Sequence, residues 1–491
     1  PLFANDTHNW YQLSLSASLA FIASGITAYL WLKSITNRKS ALIGSILYMV
    51  LPYHLAVNLY WRFAFAEFWA LVWLPLILYF TYKIINERKK VYIIGLAVSY
   101  ALLVMTHLPT LVIFSAVPIA YVLTMAGREK IKQSLIRLAI ALVLGIGLSA
   151  IYWVPAMTTQ QNISMDFIEE KGFLYSNNFL FSNLAGNYHN ENFWIYLNFL
   201  AVFMAVLAVA AFVITRQNRF ISARRESIFW LAIAAFSLLI MLPISQPIWQ
   251  LVTVWQRIQF PSRFNTVLLV ATTALLTLAF YSLSEFKIKK IKYLSLIFLI
   301  AVSLLLSNGI VIKQRLKPRP NYDPNRELQI SMEESREYRP RWVPKDVFQP
   351  EIVTELSNKY NKVAITGGEG QLFIQQWKPR EIILQTDATT DINLTLGQFY
   401  YPGWNAKLKG ESSIISVQPS PQEGLLNLQV PPGNHKVIVS LNAGKEEWLG
   451  IIISAISALI ALGLFFWFRN SDRAHQEFEK TGAKPLVMQN K

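Results

Sequence analysis

Long apolar segments, separated by gaps whose basic content alternates, constrain this chain more than any other feature. Eleven segments are long enough to be membrane helices: roughly 11–32, 40–59, 65–82, 91–106, 109–125, 138–153, 194–215, 228–242, 264–283, 293–312 and 448–468. A helix crossing the hydrocarbon core needs about 20 apolar residues, and tilt or partner helices allow somewhat fewer. The gaps at 33–39, 83–90, 126–137, 216–227 and 284–292, with the tail 469–491, hold 24 Lys and Arg. The alternate short gaps hold four: Arg62, Lys171, Arg257 and Arg263. Positive charge stays on the cytoplasmic side during insertion, so the first set reads as inside and the second as outside. The alternation closes with every segment retained, as expected of a polytopic membrane protein.

Composition agrees. The chain is 53% hydrophobic and 15% charged, which suits a membrane protein and excludes disorder. Most of the net charge of +16 lies in the basic gaps, where it orients helices and touches anionic headgroups; no nucleic-acid partner is expected. Cysteine is absent, so there is neither a disulfide framework nor a thiolate site. Residues Phe3 to Trp10 fall outside by the alternation without a signal-like region before them. The chain is therefore expected to lack its true N-terminus, about one helix and an external loop.

Residues 1–312 read as a multispan helical module, 313–361 as an external, Pro-punctuated linker, 362–446 as an external β-sandwich, 447–468 as a last membrane helix and 469–491 as a cytoplasmic tail. The sandwich is read from short alternating runs at Gln371–Trp377, Glu381–Gln385, Ile392–Leu396, Leu425–Val430 and Lys436–Leu441, separated by Gly- and Pro-rich turns. The stretch 243–263 carries Trp249 and Trp255 and predicts a short helix flat on the outer interface.

Charges inside membrane segments are expensive and mark candidate sites. His54 falls near the outer end of the second segment, Arg62 and Glu67 flank the start of the third, and His107 lies at the outer turn between the fourth and fifth. Arg257 and Arg263 precede the ninth, and no interior position of the sixth to eleventh segments carries a charge. Every candidate thus gathers at the outer interface, against a midplane transport site. Guanidinium groups there suit a phosphate. On a regular helix His54, Asn58 and Arg62 share a face, whereas Glu67 meets Arg62 only if the chain turns around Tyr60–Phe63. A snorkelling Arg with a neutralising Glu is the plainer reading of that pair. His107 reads as a general base, a phosphate donor or simply a turn residue. The Asp166, Glu169 and Glu170 cluster reads as a solvated loop face, with no spacing of a carboxylate metal site.

These residues resemble a known family. Leu51-Pro52-Tyr53-His54, with Leu59-Tyr60-Trp61-Arg62 and Ala66-Glu67, is similar to the signature of prokaryotic membrane proteins called 6-pyruvoyl-tetrahydropterin synthase-related. Ile258-Gln259-Phe260-Pro261-Ser262-Arg263-Phe264 and Glu337-Tyr338-Arg339-Pro340 resemble two further elements, with Ser262 where an aromatic is frequent and Arg339 where a Leu is usual. Tyr400-Tyr401-Pro402-Gly403-Trp404 with Pro431-Pro432-Gly433 looks like the terminal sandwich of YfhO-type proteins. The resemblance implies a GT-C-like architecture: a glycosyltransferase of the bacterial cytoplasmic membrane, moving a sugar from a polyprenyl-phosphate carrier to an envelope polymer, lipid or protein. It implies phosphate binding by Arg62, Arg257 and Arg263, with Glu67 orienting Arg62 and His54 and His107 lining the site. It places the catalytic carboxylate upstream of Pro1, with Glu67, His54 and His107 as the candidates present, and leaves room for a divalent cation. The competing reading is a non-catalytic scaffold or lipid-binding protein of the same architecture.

Overall fold

A computed structural model describes residues 9–87, 89–164, 173–182, 191–216, 221–285, 339–344, 362–411 and 414–481, with scattered helical positions between 301 and 313. Two compact units form, one from Pro1–Ala150, Lys171–Pro318 and Ile453–Lys491, the other from Ile151–Glu170 and Arg319–Ile452. The expected segment at 293–312 and most of the linker 313–361 lie outside the described residues.

The first unit is helical: α1 (Asn9–Ile35), α2 (Arg38–Val50), a π-helix (Tyr53–Trp61), α3 (Phe65–Asn86), α4 (Tyr92–Thr106), α5 (Leu108–Phe114), α6 (Ala116–Met125) and α7 (Ile131–Leu148). After α8 (Ala150–Thr158), which apart from Ala150 belongs to the second unit, come α9 (Glu191–Thr215), α10 (Ile221–Ile240), the short α11 (Gln246–Leu251) and α12 (Thr253–Gln256), and α13 (Asn265–Glu285). The last helix, α14, runs Lys445–Thr481. Among the described residues, eight helical stretches are long and apolar enough to cross a membrane, α4 is a shorter apolar helix, and α10 with the following 3-10 turn and α11 forms a pair bent by 90°.

Helix α13 sits at the centre, with 89% of its apolar window buried against 17% for α14. Its sequence explains how it fits there. Thr273, Thr277 and Ser282 each return their hydroxyl to the carbonyl one turn back, at 2.7–2.9 Å, so these small polar side chains are accommodated within the helix's own backbone. Small residues also let backbones approach. Gly44 of α2 is the clearest case, since a Cβ there would stand 2.0 Å from the Thr277 hydroxyl.

Two expectations are corrected. The stretch 243–263, expected as one short helix, is two short helices framed by 3-10 turns, and Trp249 is fully buried. It stacks on Tyr175 and meets Phe179, Trp255 and Phe264 edge-on at 5.3–6.0 Å; Ile244 and Leu251 remain on the surface. Secondly, α10 begins at Ile221, ahead of the expected 228, which brings Glu226 inside a candidate span. Glu226 is buried and accepts hydrogen bonds from the Tyr121 hydroxyl of α6 and the Trp230 indole. In sequence it falls within the basic gap 216–227, beside Arg224 and Arg225.

In the second unit, strands β1 (Val363–Gly367), β4 (Ile392–Phe399), β8 (Leu425–Val430) and β7 (Val417–Pro419) form one antiparallel sheet in the order β1-β4-β8-β7. The other holds β2 (Gly370–Lys378), β3 (Glu381–Ala388), β9 (Gly433–Leu441), β5 (Trp404–Leu408) and β6 (Ile414–Ile415), in the order β2-β3-β9-β5-β6. Period-two alternation sorts the faces. On β3, Ile382 and Leu384 enter a core shared with Leu394, Leu428, Val437 and Val439, while Glu381, Ile383, Gln385 and Asp387 alternate with them on the opposite face.

A clasp joins the sandwich to the segment after α8. Ser164 and Arg341 donate their backbone N–H groups to the carbonyls of Arg339 and Asn162, at 2.7 and 3.1 Å. The buried Arg339 guanidinium donates to the Ser164 hydroxyl at 2.8 Å, giving the departure from Leu a partner in the fold. Trp342 packs edge-on against Tyr400 at 5.1 Å. Gly424, at φ +69°, lies so close to the Trp342 carbonyl that a Cβ would stand 2.6 Å from it.

Candidate functional site

The residues between α2 and α3 do not follow a regular helix. Pro52 has no N–H to continue α2, and winding loosens to i→i+5: Val57 N–H donates to the Pro52 carbonyl and Arg62 N–H to the Val57 carbonyl, both at 2.9 Å. Stretches of π-helix are rare and concentrate at functional sites. Phe63 then adopts φ +45°, a left-handed conformation that is costly for a bulky residue. Helix α3 starts two residues later, with Glu67 in its first turn.

That turn brings Arg62 and Glu67 together. Arg62 Nη1 donates to Glu67 Oε2 at 3.1 Å. The Tyr53 hydroxyl donates to Glu67 Oε1 at 2.8 Å, and Thr266, in the first turn of α13, does so at 3.3 Å. Glu67 is 2% exposed and Arg62 28%. The carboxylate is thus enclosed by a cation and two hydroxyls, while its guanidinium partner reaches a surface.

That surface is a cavity of about 150 Å³, lined by Tyr53, Arg62, Phe193, Trp194, Leu197, Phe260 and Ser262. Sites for drug-sized ligands run to roughly 300–1,000 Å³, so this cavity is smaller than those. Arg62 contributes a cation to mostly apolar walls, where low dielectric strengthens its attraction for an anion.

Arg263 stands beside this wall. It lies in the 3-10 turn Pro261–Phe264, donates from Nη1 to the Ile258 carbonyl at 2.8 Å and places its guanidinium 5.3 Å from the centre of the Phe260 ring. The preceding Gln259 has φ +67°, a second strained non-glycine residue next to the cavity. About 200 residues separate Arg62 from Arg263 in sequence, and the packing of α13 on the π-helix brings the two into one region.

The remaining candidates are placed differently. His107 caps α5: its Nδ1 accepts from the Thr110 hydroxyl at 2.7 Å and from the Thr110 N–H at 3.3 Å. Burial pushes its imidazole down to about 4; Glu67 opposes that shift, and Arg263 and Arg62 add to it. The ring is therefore neutral near pH 7, as an accepting Nδ1 requires, and it shares the electrostatic environment of Glu67 and both Arg. His54 does not line the cavity. It is fully buried between Phe21, Tyr48 and Phe68, edge-on to all three rings, with Nδ1 on the Tyr48 carbonyl at 2.8 Å. Arg257 is exposed after α12 and is not among the partners of Glu67. Asp166, Glu169 and Glu170 lie outside the described residues.

Two groups stand out that sequence alone does not rank. Tyr53 and Thr266 complete the shell of Glu67, yet a Tyr beside a Pro and a Thr in an apolar helix are ordinary in isolation. Asn58, one turn along the π-helix, is fully buried, and neither of its amide atoms has a hydrogen-bond partner among the described residues. Among those residues no three His, Cys, Asp or Glu side chains gather, and the oxygens of Glu67 are already engaged. The described residues therefore do not fit the divalent cation that the resemblance allowed.

A profile of the 6-pyruvoyl-tetrahydropterin synthase related domain, described as a membrane protein, matches residues 2–315. The chain belongs to this membrane-protein family. The match covers the π-helix, Glu67, the cavity and Arg263, and ends ahead of the sandwich. No curated protein and no solved structure gives a significant match.

Proposed function

We propose that the chain is an outer-leaflet glycosyltransferase with a GT-C-like membrane module. The observation that carries the reading is the cavity wall: Arg62, aimed by the Glu67–Tyr53–Thr266 shell, faces a small apolar chamber. In this reading the carrier phosphate seats against Arg62, and Arg263 adds positive potential from behind Phe260. The guanidinium stabilises charge as the phosphate departs from the sugar. Phe193, Trp194 and Leu197 exclude water and accommodate the first part of a polyprenyl chain. Glu67 acts as a positioning residue, since a carboxylate accepting three hydrogen bonds is poorly disposed to take another proton. Arg257 serves at most as a surface attraction for the anionic headgroup.

The test uses the purified protein in lipid nanodiscs, with undecaprenyl phosphate as the binding probe and a polyprenyl-phosphate-linked hexose as donor. Wild type is expected to bind the phosphate lipid at least tenfold more tightly than undecaprenol and to release the hexose onto an acceptor or water. Arg62→Ala and Arg263→Ala should abolish transfer with membrane insertion intact. Normal transfer by Arg263→Ala, or no preference for the phosphate, overturns the assignment. A second reading, a lipid-binding scaffold, is favoured by the saturation of Glu67, which resembles a structural ion pair. It predicts phosphate-lipid binding without transfer, and unchanged cellular function in Glu67→Gln.

A further inference from the structure

The outward face of the five-stranded sheet carries chemistry that neither the membrane module nor the sandwich core uses. Its side chains form a directed amide ladder across three strands. Gln375 Nε2 of β2 donates to Gln385 Oε1 of β3 at 3.2 Å, and Gln385 Nε2 donates in turn to Asn434 Oδ1 at the start of β9. Beside it Gln376 Nε2 donates to Glu381 Oε1 at 2.6 Å. A bulge between Ile374 and Gln376 sets adjacent glutamines on this edge. The ladder fixes each amide's orientation, ending in a carbonyl oxygen at Gln375 and an NH₂ group at Asn434.

An aromatic ring stands in the same row. Phe373 is paired directly with Gln385 and is 63% exposed. One exposed aromatic alone is unremarkable. Its position alongside an ordered row of amides is what gives it meaning: an exposed apolar ring in a row that offers an acceptor at one end and a donor at the other. A pyranose presents the matching surface, with axial C–H groups on one face and hydroxyls that both donate and accept around its rim. The electron-rich ring face attracts such C–H groups. The charges flanking the ladder are of opposite sign, Lys436 opposite Gln385 and Asp387 opposite Asn434. A polyanion or a cationic peptide therefore meets no field of one sign, whereas an uncharged sugar needs none.

We infer that this face, centred on Phe373, Gln385 and Asn434, is a binding site for neutral hexose glycans. The inference stands on the sandwich alone and does not require the membrane module to be catalytic. If both hold, the site would retain the acceptor polymer.

The experiment titrates full-length protein, in nanodiscs free of sugar-based detergents, with linear hexasaccharides of glucose, mannose and galactose in turn. At least one should bind with a dissociation constant in the millimolar range or tighter. Phe373→Ala and Gln385→Ala should each weaken it at least tenfold without moving the unfolding midpoint, because both side chains lie outside the core. Thr366→Ala on the opposite sheet, and Arg62→Ala in the membrane module, should leave it unchanged; the latter separates this site from the transfer reaction. Failure of all three sugars to bind, binding that survives both face substitutions, or a Phe373-dependent self-association without sugar binding would each overturn the proposal.

Discussion

The ion pair between Arg62 and Glu67 offers the sharpest test of the site's construction. Glu67 is enclosed whereas Arg62 keeps 28% of its side chain exposed, so neither limiting case of ion-pair energetics applies. Breaking a fully buried pair costs about 3–5 kcal/mol, and an exposed pair contributes about 0.2–1 kcal/mol. Partial solvation of one partner places the coupling between them, at about 2 kcal/mol. Glu67→Gln keeps an oxygen for the Tyr53 and Thr266 hydroxyls, but removes the charge and replaces the acceptor of Arg62 with an NH₂ group. Arg62→Met keeps the aliphatic stem and leaves the carboxylate buried with hydroxyl donors alone. Arg62→Met should therefore be the more damaging single change, and the double variant should recover part of its loss. The assay is reversible unfolding in mixed micelles of dodecyl sulfate and a mild detergent, run as a double-mutant cycle. A coupling below about 0.5 kcal/mol would show that the pair is a surface contact, and with it would go the claim that Glu67 positions Arg62.

Three further outcomes are expected. His107 is held below its ordinary value, so the unfolded chain binds more protons between pH 6.5 and about 4; stability is complete above 6.5 and falls by up to about 3 kcal/mol on acidification to 4. His107→Asn, which keeps an N-cap acceptor, should flatten that pH dependence of the unfolding midpoint. Gly44→Ala sets a methyl against Thr277 in the central helix and should cost about 1–3 kcal/mol, partly restored by Thr277→Ala; an unchanged midpoint would mean that α2 and α13 are not tightly packed. Gly424→Ala meets both a left-handed backbone and the Trp342 carbonyl, and should loosen the clasp, read as faster amide exchange or proteolysis at 339–344. Protection equal to wild type would sink that account.

Much of the architecture is legible in the linear chain because its causes are local. Apolar length marks helices in lipid, and period-two alternation marks the sandwich strands: Glu381–Gln385 and Leu425–Val430 lie within β3 and β8. The strand Trp404–Leu408 alternates just as well, yet the adjoining Tyr401-Pro402-Gly403 turn draws attention away from it. Glu226 shows the opposite failure. It falls in a basic gap of the sequence, and only the packing of α6 against α10 buries it on Tyr121 and Trp230.

The site divides along the same line. By itself the sequence determined that Arg62, Glu67 and Arg263 fall at helix ends on one side of the alternation, because depth in a span follows from counting residues. Whether Arg62 reaches Glu67 was open: regular winding separates them, and a turn before Glu67 joins them. The tertiary structure decided it through the π-helix after Pro52 and the left-handed Phe63. It alone brought Thr266 to Glu67 across about 200 residues, walled the cavity with α9, and moved His54 into an aromatic cage. Such contacts depend on which helix faces fit together, and packing is a property of surfaces that no single segment carries in its own sequence.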